Sequence, residues 1–203
     1  LTGLHPGADA LEIETMMGSR IATMTLIAAT GATARKLGLA SEAKLTGRGV
    51  SGCAVCDGRF YADKPVAVVG GGDTAMSDAL YLARLCPEVH VIHRRDEFRA
   101  SKIMARRVLE NPRITVHWNS VVEEILGVEA RQVSGVRLRN KETEALADLP
   151  VDGVFVAIGH SPSTDWARGV LALDREGYIE SKACITSVPG VFAAGDVQDR
   201  INK

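Results

Sequence analysis

No charge of one sign dominates this chain of 203 residues: 24 Lys and Arg stand against 25 Asp and Glu, for a net charge of −1. A protein that holds nucleic acid through its phosphates carries a large basic excess, so no nucleic-acid partner is expected. Long apolar runs are also lacking. The most apolar stretch, Ile21 to Ala34, is broken by Thr23, Thr25, Thr30 and Gly31; it reads as a buried strand, and no membrane span is expected. The opening Leu1-Thr2-Gly3 has neither the basic start of a secretory signal nor an initiator Met, and the chain closes on Ile201-Asn202-Lys203. A piece of a longer protein is the expectation. Four cysteines are too few for a disulfide-stapled fold, and only Cys53 and Cys56 lie close together. One working pair suits a reducing compartment, which implies a cytoplasmic protein. Repeats and low-complexity linkers are absent, as are Ser/His/Asp and His-Glu-x-x-His arrangements. His5, His90 and His117 have no metal-binding spacing, so no metal is expected; His117, beside Trp118, reads as strand surface.

What is present is an α/β pattern. A composition of 46% hydrophobic and 24% charged residues is that of a globular domain able to bury a core. Residues 1–20 show little periodicity. Met24–Ala29 reads as a buried strand ending at Thr30-Gly31, and Ala40–Gly52 as a polar connection. Asp63-Lys64-Pro65 makes a turn before the strand Val66–Val69. Ala75, Ala79, Leu82, Ala83 and Cys86 then form one apolar helix face, stopped by Pro87. Val89–Ile92 is the next strand. A second helix, Ala100–Leu109, carries Ala100, Ile103, Met104 and Val108 on one side. Ile114–Trp118, Val121–Leu126, Val133–Leu138 and Val154–Ile158 read as further strands. This alternation implies a Rossmann-like parallel sheet with a small antiparallel meander.

Gly70-Gly71-Gly72-Asp73-Thr74-Ala75 supplies G-x-G-x-x-A between a strand and a helix. The first glycine permits the turn, the second lets backbone approach a pyrophosphate, and Ala75 lets the helix pack close to the sheet. Gly47-Arg48-Gly49-Val50-Ser51-Gly52 spells G-x-G-x-x-G as well, but neither a strand before it nor a long helix after it is expected, so it reads as a loop. About twenty residues beyond the first pattern, the second strand runs into His93-Arg94-Arg95, with Arg99 following. An NAD site would place an acid there. Guanidiniums suit a 2′-phosphate, so the position favours NADP(H). Asp96 and Glu97 follow at once, and a solvated charge run is the plain alternative.

Cys53-Ala54-Val55-Cys56 beside a βαβ unit suits a redox disulfide, because two intervening residues allow a closed ring and a lowered thiol pKa. Asp57 stands where a proton could be delivered or accepted. A structural zinc site is the rival, with Cys86 and Cys184 as the only other thiols; both read better as small buried hydrophobes.

Taken in order, several segments resemble the low-molecular-weight thioredoxin reductase family. They are Ala29-Thr30-Gly31-Ala32, Arg48 to Gly58, Val68–Ala75 and His93-Arg94-Arg95 with Arg99. Ala157 to Pro162 and Gly190 to Asp196 continue the match. The resemblance implies a flavoprotein in which an NADPH-binding domain carrying the cysteines, residues 34–159, is inserted into an FAD domain represented by 1–33 and 160–203. It implies FAD and NADPH as cofactors, thioredoxin as partner, and a homodimer in the full-length family. Thr30, Gly31, Gly159, Gly195 and Asp196 would belong to cofactor sites. Cys56 would face the flavin, Cys53 would attack thioredoxin, and Asp57 would be the acid. The family's first glycine fingerprint does not occur ahead of residue 26, and the chain ends soon after Asp196. The alternatives are an NADPH-binding module without flavin or activity by itself, and a reductase of a peroxiredoxin-type partner or a small disulfide.

Overall fold

The computed structural model describes residues 1–199, so 200–203, the end of the expected 160–203 segment, lie outside the described residues. The chain divides into two compact units, one made of residues 1–33 with the segment from His160 onward, the other of Ala34–Gly159. Strands β1 (Gly3–Pro6), β2 (Leu11–Glu14), β3 (Arg20–Thr23) and β4 (Leu26–Ala28) open the first unit, and β5 (Ala32–Ala34) lies where the chain leaves it. The second unit carries α1 (Ala40–Leu45), β6 (Val50–Ser51), α2 (Ala54–Asp57), a 3-10 turn Gly58–Tyr61, β7 (Val66–Gly70), α3 (Asp73–Leu82) and β8 (Val89–Ile92). It continues with α4 (Lys102–Leu109), β9 (Ile114–His117), β10 (Ser120–Leu126), β11 (Gly135–Asn140), β12 (Leu146–Leu149) and β13 (Gly153–Ala157). Back in the first unit are β14 (His160–Pro162) and β15 (Val191–Ala193).

The second unit is built on a five-stranded parallel sheet in the order β6-β13-β7-β8-β9. All of Val66–Gly70 is buried, as a parallel strand covered on both faces must be. Alternation sorts its side chains. Ala67 and Val69, with Ile92, Val154 and Val156, pack with Val122, Ile125, Val136 and Leu138 of the antiparallel meander β10-β11-β12. Val66 and Val68, with Val89, Val91 and Phe155, pack against Ala75, Met76, Ala79 and Leu82 of α3 and Val108 of α4. The strand order reverses at β7: the chain goes from β7 to β8 on one side, and β13 later joins on the other. A crevice at the carboxyl ends of such strands is the usual ligand position in an open α/β sheet.

Several local expectations change. Ala40–Gly52, expected as a polar connection, contains α1 and β6. Besides Leu45 and Val50 it buries two polar side chains, both satisfied: Ser41 Oγ accepts the Ile125 N–H (3.0 Å), and the Glu42 carboxylate accepts those of Leu37 (3.0 Å) and Gly38 (2.9 Å). An apolarity pattern does not register a helix anchored this way. In the other unit, residues 1–23 form the antiparallel sheet β1-β2-β3, whose inward residues Leu4 and Leu11 are separated by a hairpin. The strand expected over Met24–Ala29 is confined to β4. Only Ala28 is buried there, and Ile27 is 70% exposed. Ile103, placed with the apolar side of the second helix, is 62% exposed. Among the described residues no helix is long and apolar enough to cross a membrane.

Candidate functional site

A cavity of about 480 Å3 opens at the carboxyl ends of β7, β8 and β13, lined by Val69 to Gly72, Ile92 to Arg94, and Ala157 to Gly159. The three glycines differ in what they permit. Gly70 has φ +156°, and a Cβ on it would lie 2.3 Å from the Ala157 carbonyl oxygen and 2.8 Å from the Ala75 methyl. A Cβ on Gly71 would fall 2.1 Å from the His93 ring. Both are glycine because the protein fills the space. At Gly72 nothing of the protein lies within 4 Å of that point, yet the residue lines the cavity. Bare backbone is offered there to whatever enters. Gly72 also precedes α3 without a side-chain cap, so the first N–H groups of that helix remain available to an anion.

The cavity wall is cationic. Arg94, Arg99, Arg35 and Lys36 all line it, and no Asp or Glu does. Thr74 and Gly159 line it too, whereas Arg95 is exposed outside it, and Ala75 is buried where α3 packs on the strand. Arg35 and Lys36 escaped the sequence reading because they precede the glycine turn and belong to no motif of it. They are placed from behind: the Arg35 N–H donates to the Gly159 carbonyl (2.9 Å), and the Glu42 carboxylate holds the amides of Leu37 and Gly38. His93 is buried, with Nε2 2.9 Å from the Glu97 carbonyl oxygen. Burial holds its pKa below the ordinary histidine range, against the pull of the Glu97 and Gly70 backbone. Asp73 is absent from the wall. Its carboxylate accepts hydrogen bonds from the Ser101 hydroxyl (2.7 Å) and N–H (2.9 Å), which keep it below the usual carboxylate range.

Cys53 and Cys56 are joined as a disulfide, with their Cα atoms 5.3 Å apart. Cys53 is the N-cap of α2, and its Sγ accepts the Cys56 N–H at 3.1 Å. Cys56 is exposed, and Cys53 and Asp57 are half-buried. The turn after the pair packs tightly on α3, since a Cβ on Gly58 would meet the Leu82 side chain at 2.9 Å and the Tyr81 ring at 3.1 Å. The helix that starts at the cavity therefore also braces the disulfide. Val55, between the two cysteines, and Phe60, four residues after them, are 68% and 75% exposed. Cys86 is buried and donates to the Tyr61 carbonyl (3.2 Å); burial pushes its thiol up to about 11. Cys184, expected to be buried, is exposed in a turn with φ +69°. His117, expected on strand surface, is half-buried, with its Nε2 3.1 Å from Nδ1 of His90.

In the other unit, β4 and β15 pair in parallel, Leu26 with Val191 through Ala28 with Ala193. Thr30-Gly31 and Gly195-Asp196 thus leave the same ends of two adjacent strands. Thr30 Oγ1 donates to the Ser163 carbonyl (2.7 Å), and the Gly31 carbonyl accepts the Ser163 N–H (2.9 Å). Gly31 and Gly195 have φ of +70° and +72°, and the half-buried Asp196 follows Gly195 in the 3-10 turn Gly195–Val197.

Comparison with known proteins agrees with this geometry. Thioredoxin reductase of Escherichia coli O157:H7 is 52% identical over 186 residues, covering 87% of this chain and 57% of that protein. The Streptomyces coelicolor thioredoxin reductase is 49% identical over 176 residues, covering 86% and 54%. The chain therefore spans little more than half the length of these curated relatives. Among solved structures, thioredoxin reductase from Giardia duodenalis superposes with a TM-score of 0.86 at 35% identity, covering 99% of this chain and 66% of that one. The Streptococcus pyogenes enzyme gives 0.84 at 39%, covering 98% and 65%. The family model described as pyridine nucleotide-disulphide oxidoreductase matches residues 2–203. A glycine turn opening on a cationic crevice, with a Cys-x-x-Cys disulfide braced on the same helix, is the equipment for a pyridine nucleotide and a disulfide, and the chain belongs to the pyridine nucleotide-disulphide oxidoreductase family.

Proposed function

We propose that this chain is the NADPH-binding and disulfide-carrying part of a thioredoxin reductase. The observation that carries the proposal is the cationic cavity over Gly72, in the same unit as the Cys53–Cys56 disulfide. The pyrophosphate of NADPH meets the uncapped start of α3, and Arg94 and Arg99 hold the 2′-phosphate. Gly159 forms part of the wall, and Arg35 and Lys36 add charge to match a ligand with three phosphates. Thr30, Gly31, Gly195 and Asp196, gathered at one edge of the β4–β15 pair, are the residues we assign to FAD. When bound, flavin supplies two-electron chemistry between the nicotinamide hydride and a disulfide.

The protein's own part begins with Cys53 and Cys56 reduced to thiols. Negative charge on Cys53 is favoured by the Cys56 N–H and its place at the start of α2, so Cys53 attacks the partner's disulfide. One partner sulfur leaves as a thiolate and takes a proton, for which Asp57 is the adjacent acid. Cys56 then attacks Cys53, the second partner sulfur departs, and the Cys53–Cys56 bond is restored. The exposed Val55 and Phe60 beside the pair favour a protein acceptor over a small disulfide. Cys86 and Cys184 remain thiols, which favours a reducing, cytoplasmic setting, and the functional assembly is proposed as a homodimer.

The test is NADPH consumption with FAD and oxidised thioredoxin, carried out with the full-length protein. Activity must vanish in Cys53→Ser and Cys56→Ser while NADPH binding persists. Turnover with a peroxiredoxin-type acceptor but none with thioredoxin would replace the acceptor in this proposal.

A further inference from the structure

We infer that Asp73 and Ser101 form a clasp that sets the preference for a 2′-phosphorylated dinucleotide, by fixing the arginine-bearing loop against the glycine turn. The inference rests on reading the cavity as an NADPH site. The segment from His93 to Ser101 carries Arg94 and Arg99 and contains neither helix nor strand. A guanidinium on a wandering loop gains little from a phosphate, because each binding event must also order the loop.

On its far side the segment is held by the Asn119 and Ser120 N–H groups, which donate to the Arg95 (3.1 Å) and His93 (2.9 Å) carbonyls, and by the Phe98 ring against Trp118; three further sets of contacts tie it to the glycine turn. The Arg99 N–H donates to the Gly71 carbonyl at 2.8 Å. The ring of His93 stands where a Gly71 Cβ would be, with Nε2 against the Glu97 carbonyl. Both the N–H and the hydroxyl of Ser101 donate to one carboxylate oxygen of Asp73, at 2.9 and 2.7 Å. The first is backbone and the second belongs to the cavity wall. The third involves side chains that do not line the cavity, so it can be removed without touching the ligand's surroundings.

Asp73 is also an odd residue for its place. It is the first residue of α3, where a carboxylate would repel a pyrophosphate. If its role were electrostatic alone, removing it would tighten NADPH and NADH alike. If it holds the loop, removing it weakens NADPH selectively, because only the 2′-phosphate depends on the arginines. An Asn at this position keeps the accepting oxygen and loses the charge.

The experiment is calorimetric titration of the full-length protein with NADPH and with NADH, for wild type, Ser101→Ala, Asp73→Ala and Asp73→Asn. Ser101→Ala loses the hydroxyl's charge-assisted hydrogen bond and keeps that of the N–H, and should lower the NADPH-over-NADH preference about tenfold; Asp73→Ala loses both and should lower it at least as much. Asp73→Asn should keep the preference within about threefold of wild type, since both donors still find an acceptor. An unchanged preference in the two alanine variants, or an Asn variant as damaged as the alanine one, overturns the clasp. Equal affinity of the wild type for NADPH and NADH overturns instead the NADPH reading on which the clasp depends.

Discussion

Replacing Gly72 by Ala should separate binding from folding. The backbone at Gly72 has φ −100° and ψ −180°, which any residue adopts, and no protein atom lies within 4 Å of the new methyl. Alanine is a poorer N-cap than glycine by roughly 0.5–1 kcal/mol, and it restricts the unfolded chain by a similar amount in the opposite sense. The two effects offset, so Tm should change by no more than about 2 °C. The methyl nevertheless enters the space in which a pyrophosphate would meet the start of α3, and overpacking of about 1–3 kcal/mol becomes a ~5- to 150-fold weaker NADPH complex. Gly70→Ala is the control with the opposite signature. Its Cβ would stand 2.3 Å from the Ala157 carbonyl oxygen at a φ of +156°, and backbone cannot yield as a side chain can. A cost of roughly 3 kcal/mol from crowding and strain should lower Tm by about 6–12 °C. Thermal melts and NADPH titrations on both variants decide the matter. A Gly72→Ala protein that binds NADPH like wild type would refute the assignment of this turn as the phosphate cradle. One that melts as early as Gly70→Ala would refute the distinction drawn between the glycines.

Arg94→Ala and Arg99→Ala should each weaken NADPH more than NADH, by about tenfold for one charged contact, whereas Arg95→Ala, outside the cavity wall, should leave both within about twofold. Equal losses for Arg94 and Arg95 in the same titration would sink that division of labour. Burial raises the Asp78 carboxyl from 3.8 to about 6, so the folded chain holds that proton more tightly than the unfolded chain does. The contribution of Asp78 to stability is therefore highest below about pH 4, falls as pH rises to about 6, and stays at the lower level above it. Asp78→Asn should flatten this stretch of the Tm–pH curve and raise stability at pH 7, on the order of 1–2 kcal/mol after allowing for partial solvation. A curve that keeps its wild-type slope between those values would show that another group is responsible.

Local order determined a great deal of this protein. A run such as Val66–Gly70 is apolar at every position because both faces of a parallel strand are covered, and a glycine turn directly after it can lead only into a helix packed close by. Strand, turn, helix and strand follow from neighbouring residues, and so does the disulfide, whose partners stand three apart. Tertiary structure alone decided which of these parts share a cavity. Arg35 and Lys36 reach the wall because the Gly159 backbone and the Glu42 carboxylate hold their loop, and Arg95 is turned out of a cluster in which it looked equal to Arg94. Asp73, which resembles a ligand in the motif, spends its carboxylate on Ser101, a residue 28 positions away. Helix α1 was hidden for a related reason, since its buried Ser41 is satisfied by the distant Ile125 N–H and its buried Glu42 by the amides of the preceding loop, and two polar residues among three buried ones leave no apolar stripe to read. Periodicity reports which face is dry; it cannot report which partner, brought from elsewhere in the chain, satisfies a polar group or aims a charge.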